Sequence, residues 1–117
     1  MKRIVFLEGD AEPIREYGSV GASTAEIASG RGEAHVYRVH FEPGGQIGPH
    51  RAGFGQLFLV TAGAGWVADG DDDRRELAVG EGAYIRRGEV HAKGSDTGMT
   101  ALIIQVAELE TVEEDRS

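Results

Sequence analysis

The stretch that decides the fold is GGQIGPHRAGFGQLFLVTAG, residues 44–63, in which glycines frame a histidine, a glutamine and an apolar run. On an extended strand, residues two apart share a face, so Gln56 and Phe58 are predicted to point to the same side. Leu57 and Leu59 then pack on the opposite side. An apolar wall with one amide at its edge is typical of a ligand-binding pocket.

Outward from this stretch, the chain alternates short apolar runs with glycine-rich turn signals. The runs have the length of strands, and their spacing is that of an all-β sandwich or barrel. No part of this region has a helical apolar period. At most a turn or so of helix is expected, near residues 11–17 or 24–29. The predicted strands are Ala34–Phe41, Gln56–Thr61, Gly65–Ala68, Glu76–Val79, Ala83–Ile85 and Thr100–Val106.

The length of 117 residues, 40% of them hydrophobic, fits one domain with one core. We expect a barrel core over about residues 34–106, an N-terminal strand over residues 3–8 and a frayed acidic tail over residues 108–117. The formal net charge of −8 disfavours binding to nucleic acid or to an anionic membrane surface. The absence of cysteine excludes disulfides and thiolate metal sites, and without a signal-like segment a cytoplasmic location is the simplest expectation.

A second stretch, GEGAYIRRGEVH at residues 80–91, also places a histidine beside a glycine-punctuated strand. His50 precedes the strand of the first stretch, and His91 ends the second. A closed sheet would bring both rings to one opening, although they are far apart in the chain. Imidazole is a ligand for zinc, iron, copper and nickel.

Both stretches resemble the two sequence motifs of the cupin superfamily. The first looks like G-x5-H-x-H-x3-4-E-x6-G, with matching glycines at both ends and His50 as the first histidine. Ala52 stands where the second histidine belongs, and Gln56 stands where the glutamate belongs. The likeness implies a single-domain, RmlC-like cupin: a double-stranded β-helix, or jelly-roll barrel.

The second stretch is similar to G-x5-P-x-G-x2-H-x3-N. Its two glycines and His91 match, while Arg86 replaces the proline and Ser95 replaces the asparagine. A narrower likeness is to cupins that accompany carboxymuconolactone decarboxylases. In those proteins a glutamine often serves as a metal ligand at the position of Gln56, whereas Ala52 departs from either pattern.

The resemblance implies a weak divalent-metal site at the barrel mouth, held by His50, Gln56 and His91, with Zn, Mn, Fe or Ni as candidates. Water or His40 would fill the position left vacant by Ala52, with His35 a less favoured source. We also assign His40, Phe58 and Lys93 to a substrate pocket. Lys93 shares a face with His91, so its amine is expected either to hold an anionic substrate or to occupy space near the metal position.

Two functional hypotheses follow. The first is a small-molecule-binding cupin with a divalent metal, implied by the resemblance to be a dioxygenase, isomerase or decarboxylase of a small acid. The alternative is a metal-free ligand-binding or sensing cupin without catalysis, and the residues alone do not decide whether the chain is an enzyme. The resemblance also implies a homodimer, because cupins of this size commonly pair through sheet edges and exposed apolar faces. Trp66 is expected to be a packing residue, with a place at such an interface as the alternative.

Overall fold

The structure is a computed structural model that describes residues 1–7, 11–70 and 73–111, and these residues form ten strands and no helix. The all-β prediction is therefore confirmed. Within the described ranges there is also no helix long and apolar enough to span a bilayer. The strands are β1 (Lys2–Val5), β2 (Glu12–Pro13), β3 (Ser23–Thr24), β4 (Ala28–Phe41), β5 (Gln46–Arg51), β6 (Gly55–Asp69), β7 (Arg74–Ala78), β8 (Glu81–Ile85), β9 (Val90–Gly94) and β10 (Met99–Thr111).

Eight of the strands form one hydrogen-bonded network with two halves that share β6. In the first half the order is β1-β8-β6-β10-β4, and the pairs are antiparallel. In the second half β9 lies between β5 and β6, and β7 pairs with the other edge of β6. Strands β2 and β3 form a separate two-stranded ribbon. The shared strand is what joins the two halves into one barrel.

Alternation along the first part of β6 separates two apolar clusters. Phe58 and Val60 are fully buried in the main cluster, together with residues of both halves of the network. Leu57 and Leu59 pack on the opposite face with Ile4 and other residues of a second cluster. The predicted division of this strand into an inner and an outer face is confirmed. The inner face contributes to the main apolar core of the barrel.

The predicted separation of strands Gln56–Thr61 and Gly65–Ala68 is wrong, because β6 runs from Gly55 to Asp69 without a break. The register with β10 shifts between Thr100 and Ala101, where Thr61 is the extra residue of β6, and two residues later Gly63 has a φ of 73°. One extra residue in one strand of an antiparallel pair is a β-bulge, which bends the strand and increases its twist. The bulge is where β6 leaves the first half of the network and enters the second.

Other boundaries also differ from the prediction. Strands β5 and β9 were not predicted, because their few apolar residues are interrupted by glycine, proline and charge. The N-terminal strand ends at Val5, short of the predicted residue 8, which lies outside the described residues. The acidic tail is paired as far as Thr111, where β10 lies against the early part of β4, and residues 112–117 are outside the described part.

Trp66 is a packing residue of the single chain. It is 4% exposed and packs with Ala68 and Ala92. The guanidinium carbon of Arg74 lies 3.9 Å from the centre of the indole ring, which is a cation–π distance. The expectation that Trp66 is a packing residue is therefore confirmed, and its covered ring offers little surface to a second copy. The homodimer itself stays a prediction.

We predict that Gly63→Ala destabilises the protein by about 2–4 kcal/mol, because it adds a left-handed backbone penalty to a steric clash. A Cβ at this position would collide with the carbonyl oxygen of Gly98. Urea unfolding measures the change. Gly48→Ala is the matched control, because a Cβ there meets nothing within 4 Å. Equal effects of the two substitutions would contradict the requirement for glycine at position 63.

Candidate functional site

The two histidines of the sequence motifs face each other on adjacent strands. His50 on β5 and His91 on β9 are direct partners in the antiparallel register. Their ring centroids are 4.4 Å apart, with the ring planes tilted by 54°. The expectation that two imidazoles distant in the chain come together in the barrel is met in the structure.

His91 is fully buried, and neither of its ring nitrogens has a hydrogen-bond partner among the described residues. Burial, followed by the nearby charges of Lys93 and His50, lowers the pKa of His91 to about 4, and only the weaker effect of Glu89 opposes this shift. The ring is therefore neutral at pH 7, with one N–H donor and one acceptor. A buried imidazole with both nitrogens free is a group that a ligand would satisfy.

His50 is the exposed member of the pair. Its Nδ1 lies 2.9 Å from the carbonyl oxygen of Gly48. A carbonyl only accepts, so this nitrogen donates the proton, and in the neutral ring Nε2 is left as an acceptor. Strand β5 pairs only with β9 within the described residues, so His50 sits on an edge strand between solvent and the buried ring of His91.

Lys93 is buried on the same strand as His91. It is 1% exposed, and its Nζ donates a hydrogen bond of 2.8 Å to Oε1 of Gln56. The same nitrogen lies 4.7 Å from the centre of the Phe58 ring. Burial lowers the pKa of Lys93 to about 8, which still leaves the amine mostly protonated at pH 7. Within the described residues no carboxylate forms an ion pair with this ammonium group.

These five side chains (His50, Gln56, Phe58, His91 and Lys93) form what we call the interior site. Gln56 and Phe58 come from the first part of β6, whereas Lys93 pairs through its backbone with Val67 in the later part of the same strand. The lysine side chain therefore crosses the barrel interior from one half of the network to the other. The site collects one ammonium, one amide, two imidazoles and an aromatic ring.

Two predicted contributors lie elsewhere. His40 is exposed on β4, where its Nδ1 is 3.1 Å from the hydroxyl oxygen of Thr100. His35 is 2.6 Å from a carboxylate oxygen of Glu33 and stacks on Phe54. Neither joins the two histidines, since the described residues contain no group of three or more His, Cys, Asp or Glu that would hold a metal.

Solved structures resemble this barrel over most of its length. A cupin-like protein from Thermotoga maritima has a TM-score of 0.60 and 27% identity, with 68% of this chain and 64% of that chain covered. An RmlC-like cupin family protein with a double-stranded β-helix fold, from Methanocaldococcus jannaschii, has a TM-score of 0.61 and 10% identity, covering 88% of this chain and 94% of that chain. The chain belongs to the cupin superfamily. The resemblance drawn from the two sequence motifs is confirmed.

Among curated proteins, the cupin is similar to an (R)-mandelonitrile lyase from Granulicella tundricola. The two are 38% identical over 69 residues, which is 57% of this chain and 53% of the relative. The chain thus spans about half the length of the curated relative that it matches. No protein-family model matches the chain, and the narrower likeness to cupins that accompany carboxymuconolactone decarboxylases stays a prediction.

The residues of this cupin do not fit the metal implied by its superfamily. His50 and His91 offer two nitrogens, but Ala52, which is 4% exposed, has no donor atom in its side chain. The third predicted ligand atom, Oε1 of Gln56, already accepts a hydrogen bond from Lys93. A divalent ion beside that ammonium would meet electrostatic repulsion in an interior that screens charge poorly.

The sequence predicted Lys93 as a pocket residue but did not predict its hydrogen bond to Gln56. The alternation of β9 indicates that Lys93 and His91 share a face. The reach of the lysine to Gln56 depends on how far apart the two halves of the barrel stand. The signal that was present is a lysine two residues after a motif histidine, in a segment with little other charge.

We predict that acid destabilises the wild-type protein more than a His91→Phe variant. In the unfolded chain His91 takes up a proton below about pH 6.5, whereas the folded protein resists protonation until about pH 4. Stability is therefore lost as the pH falls through this window, by on the order of 3 kcal/mol for this one group. Urea unfolding at pH 7 and pH 4 measures the difference.

The control for this experiment is Ile85→Val, an equally buried substitution without a titrating group. It should lower the unfolding free energy by the same amount at both pH values and keep the acid sensitivity of the wild type. If His91→Phe and the wild type lose stability in parallel, the buried ring is not held neutral.

Proposed function

We propose that this cupin binds a small organic acid in the interior site, with the carboxylate held by Lys93. The observation that carries the proposal is a buried ammonium group whose described partners are an amide oxygen and an aromatic ring. Burying a cation without a counter-charge is costly, and an anionic ligand would remove that cost. Charge-assisted hydrogen bonds to a carboxylate are also stronger than those between neutral groups.

The remaining side chains suit the rest of such a ligand. Lys93 has three N–H donors, of which one is directed at Gln56, so others are available to carboxylate oxygens. His91 offers one donor and one acceptor to a hydroxyl or carbonyl group, and Phe58 supplies an apolar wall. The ligand would enter past His50, since this ring is exposed and lies on an edge strand.

The site favours ligand binding and proton transfer over redox chemistry. At pH 7 the imidazole of His91 is neutral and can accept a proton, as an isomerase-like reaction of a small acid requires, although its pKa of about 4 makes it a weak base. A dioxygenase would need an open metal position, and the hydrogen bond between Lys93 and Gln56 opposes one. A binding or sensing role without catalysis uses the same contacts.

The test is a thermal-shift series with acetate, propionate and benzoate, each compared with its matched primary amide. We expect the acids, and not the amides, to raise the melting temperature of the wild type, because ligand binding to the folded state stabilises it by mass action. Lys93→Met should abolish the shift. Lys2→Met, the substitution of the other lysine of the chain, should preserve it.

Two outcomes would overturn the proposal. One is an acid-dependent shift that persists in Lys93→Met, which would place the anion elsewhere. The other is the absence of any shift with all three acids while isothermal titration confirms that none of them binds.

A second candidate is cleavage of a cyanohydrin, favoured by the 38% identity to the mandelonitrile lyase over 69 residues. In this reaction the carbon–cyanide bond breaks, the hydroxyl loses its proton and an aldehyde forms. His91 would accept the hydroxyl proton, and the Lys93 ammonium would stabilise the departing cyanide and protonate it. Both groups are buried and lie on one face of β9.

We predict, under this second candidate, that purified protein releases benzaldehyde from mandelonitrile faster than buffer does, as followed by ultraviolet absorbance. His91→Phe and Lys93→Met should each lower the protein-dependent rate by at least ~100-fold, the usual contribution of a general base or acid. Lys2→Met should leave the rate unchanged. A rate that is the same in all four proteins would show that the interior site does not catalyse this reaction.

A further inference from the structure

The position of the Lys93 amine relative to the cupin ligand positions indicates which cation belongs to the site. We propose that the Lys93 ammonium occupies the metal position and replaces the divalent ion as the cation of the site. Its Nζ donates to Oε1 of Gln56, the atom that stands at the third ligand position of the first motif. The inference concerns the metal alone and does not depend on the nature of the ligand.

Burial supports this assignment. Lys93 and His91 are both essentially inaccessible to solvent, and Gln56 is 3% exposed. Long charged side chains normally extend to the surface, so a lysine that stays inside must be placed there by the surrounding structure. Here the amine is held by a hydrogen bond to Gln56 and lies over the Phe58 ring, and both groups come from the strand that supplies the first motif.

The loss at position 52 and the gain at position 93 are consistent with each other. Ala52 belongs to the apolar core, and its backbone nitrogen and oxygen pair with Glu89 and Gly88, at 2.9 and 2.8 Å. An imidazole at position 52 would supply a metal with one more nitrogen, whereas the alanine supplies none. A tethered ammonium needs fewer ligands than a divalent ion, and one amide oxygen and an aromatic face already serve it here.

Gln56 and His91, two of the predicted metal ligands, differ in their hydrogen bonds. Oε1 of Gln56 accepts a hydrogen bond from Lys93, whereas neither ring nitrogen of His91 has a hydrogen-bond partner within the described residues. A cation that only donates hydrogen bonds can use the amide oxygen and leave the imidazole for a ligand.

The test is metal binding by untagged protein, measured by equilibrium dialysis and elemental analysis with Zn²⁺, Mn²⁺, Fe²⁺ and Ni²⁺ in turn. Wild-type protein should retain no stoichiometric metal. Lys93→Met removes the ammonium and frees Gln56, so it should bind Zn²⁺ or Ni²⁺ at least about 10-fold more tightly than the wild type. Lys93→His adds a third imidazole and should bind more tightly still.

Three controls test whether the gain in metal affinity arises at the interior site. Lys2→Met should behave as the wild type, and His91→Ala in the Lys93→His background should abolish the gained affinity. Circular dichroism confirms that each variant is folded, and the wild-type measurement stands even if a Lys93 variant does not fold. Stoichiometric metal in the wild type that is lost in His91→Ala would overturn the proposal. So would a folded Lys93→His variant with no gain in metal affinity.

Discussion

The constraint on which the rest of the structure depends is that one strand, β6, serves both halves of the barrel. Its first part pairs with β8 and β10, and its second part pairs with β7 and β9. The bulge at Thr61, followed by the positive φ of Gly63, lets a single stretch of backbone satisfy both sets of partners. Because β9 is hydrogen-bonded to the end of β6, its inward side chains face those at the beginning of the same strand. This arrangement brings Lys93 to Gln56, 37 residues away in the chain.

The buried polar groups of the interior site lower the folding stability of this small domain. The main apolar cluster surrounds the site with residues such as Phe58 and Ile85, which contribute stability by burial. Among the described residues, the Lys93 ammonium has no carboxylate partner and the His91 imidazole has no hydrogen-bond partner, and both groups act in the opposite direction. Packing has no need of either group, and an aliphatic pair of similar volume would stabilise the barrel better. Perturbed, buried ionisable groups gathered in one place are a physical indication of function.

Sequence reasoning reached the fold through alternation and motif spacing, and it failed where these signals are weak. The inner and outer faces of residues 56–60 follow from a two-residue period, which a buried strand obeys closely. Strand β5 contains Gly48 and Pro49 and is mostly exposed, so its composition is that of a loop. Gly63 carries a turn-like φ inside a continuous strand, and composition alone does not distinguish a turn from a bulge. For the site, the two motifs predicted that His50 and His91 come together in the closed sheet. The hydrogen bond from Lys93 to Gln56 was not predicted, because it depends on the distance across the barrel.

A cation carried on a side chain differs from a bound metal in ways that matter for this pocket. It cannot be lost to a chelator, it carries one charge, and it only donates hydrogen bonds. It would therefore orient a ligand through N–H groups without Lewis-acid chemistry, while the neutral ring of His91 remains available as a hydrogen-bond acceptor. Lys93 and His91 sit two residues apart on β9, so the backbone of one strand fixes the spacing between cation and base. If Lys93 is the resident cation, the chemistry of the site is a property of the chain itself, set by strand geometry and not by the supply of a metal.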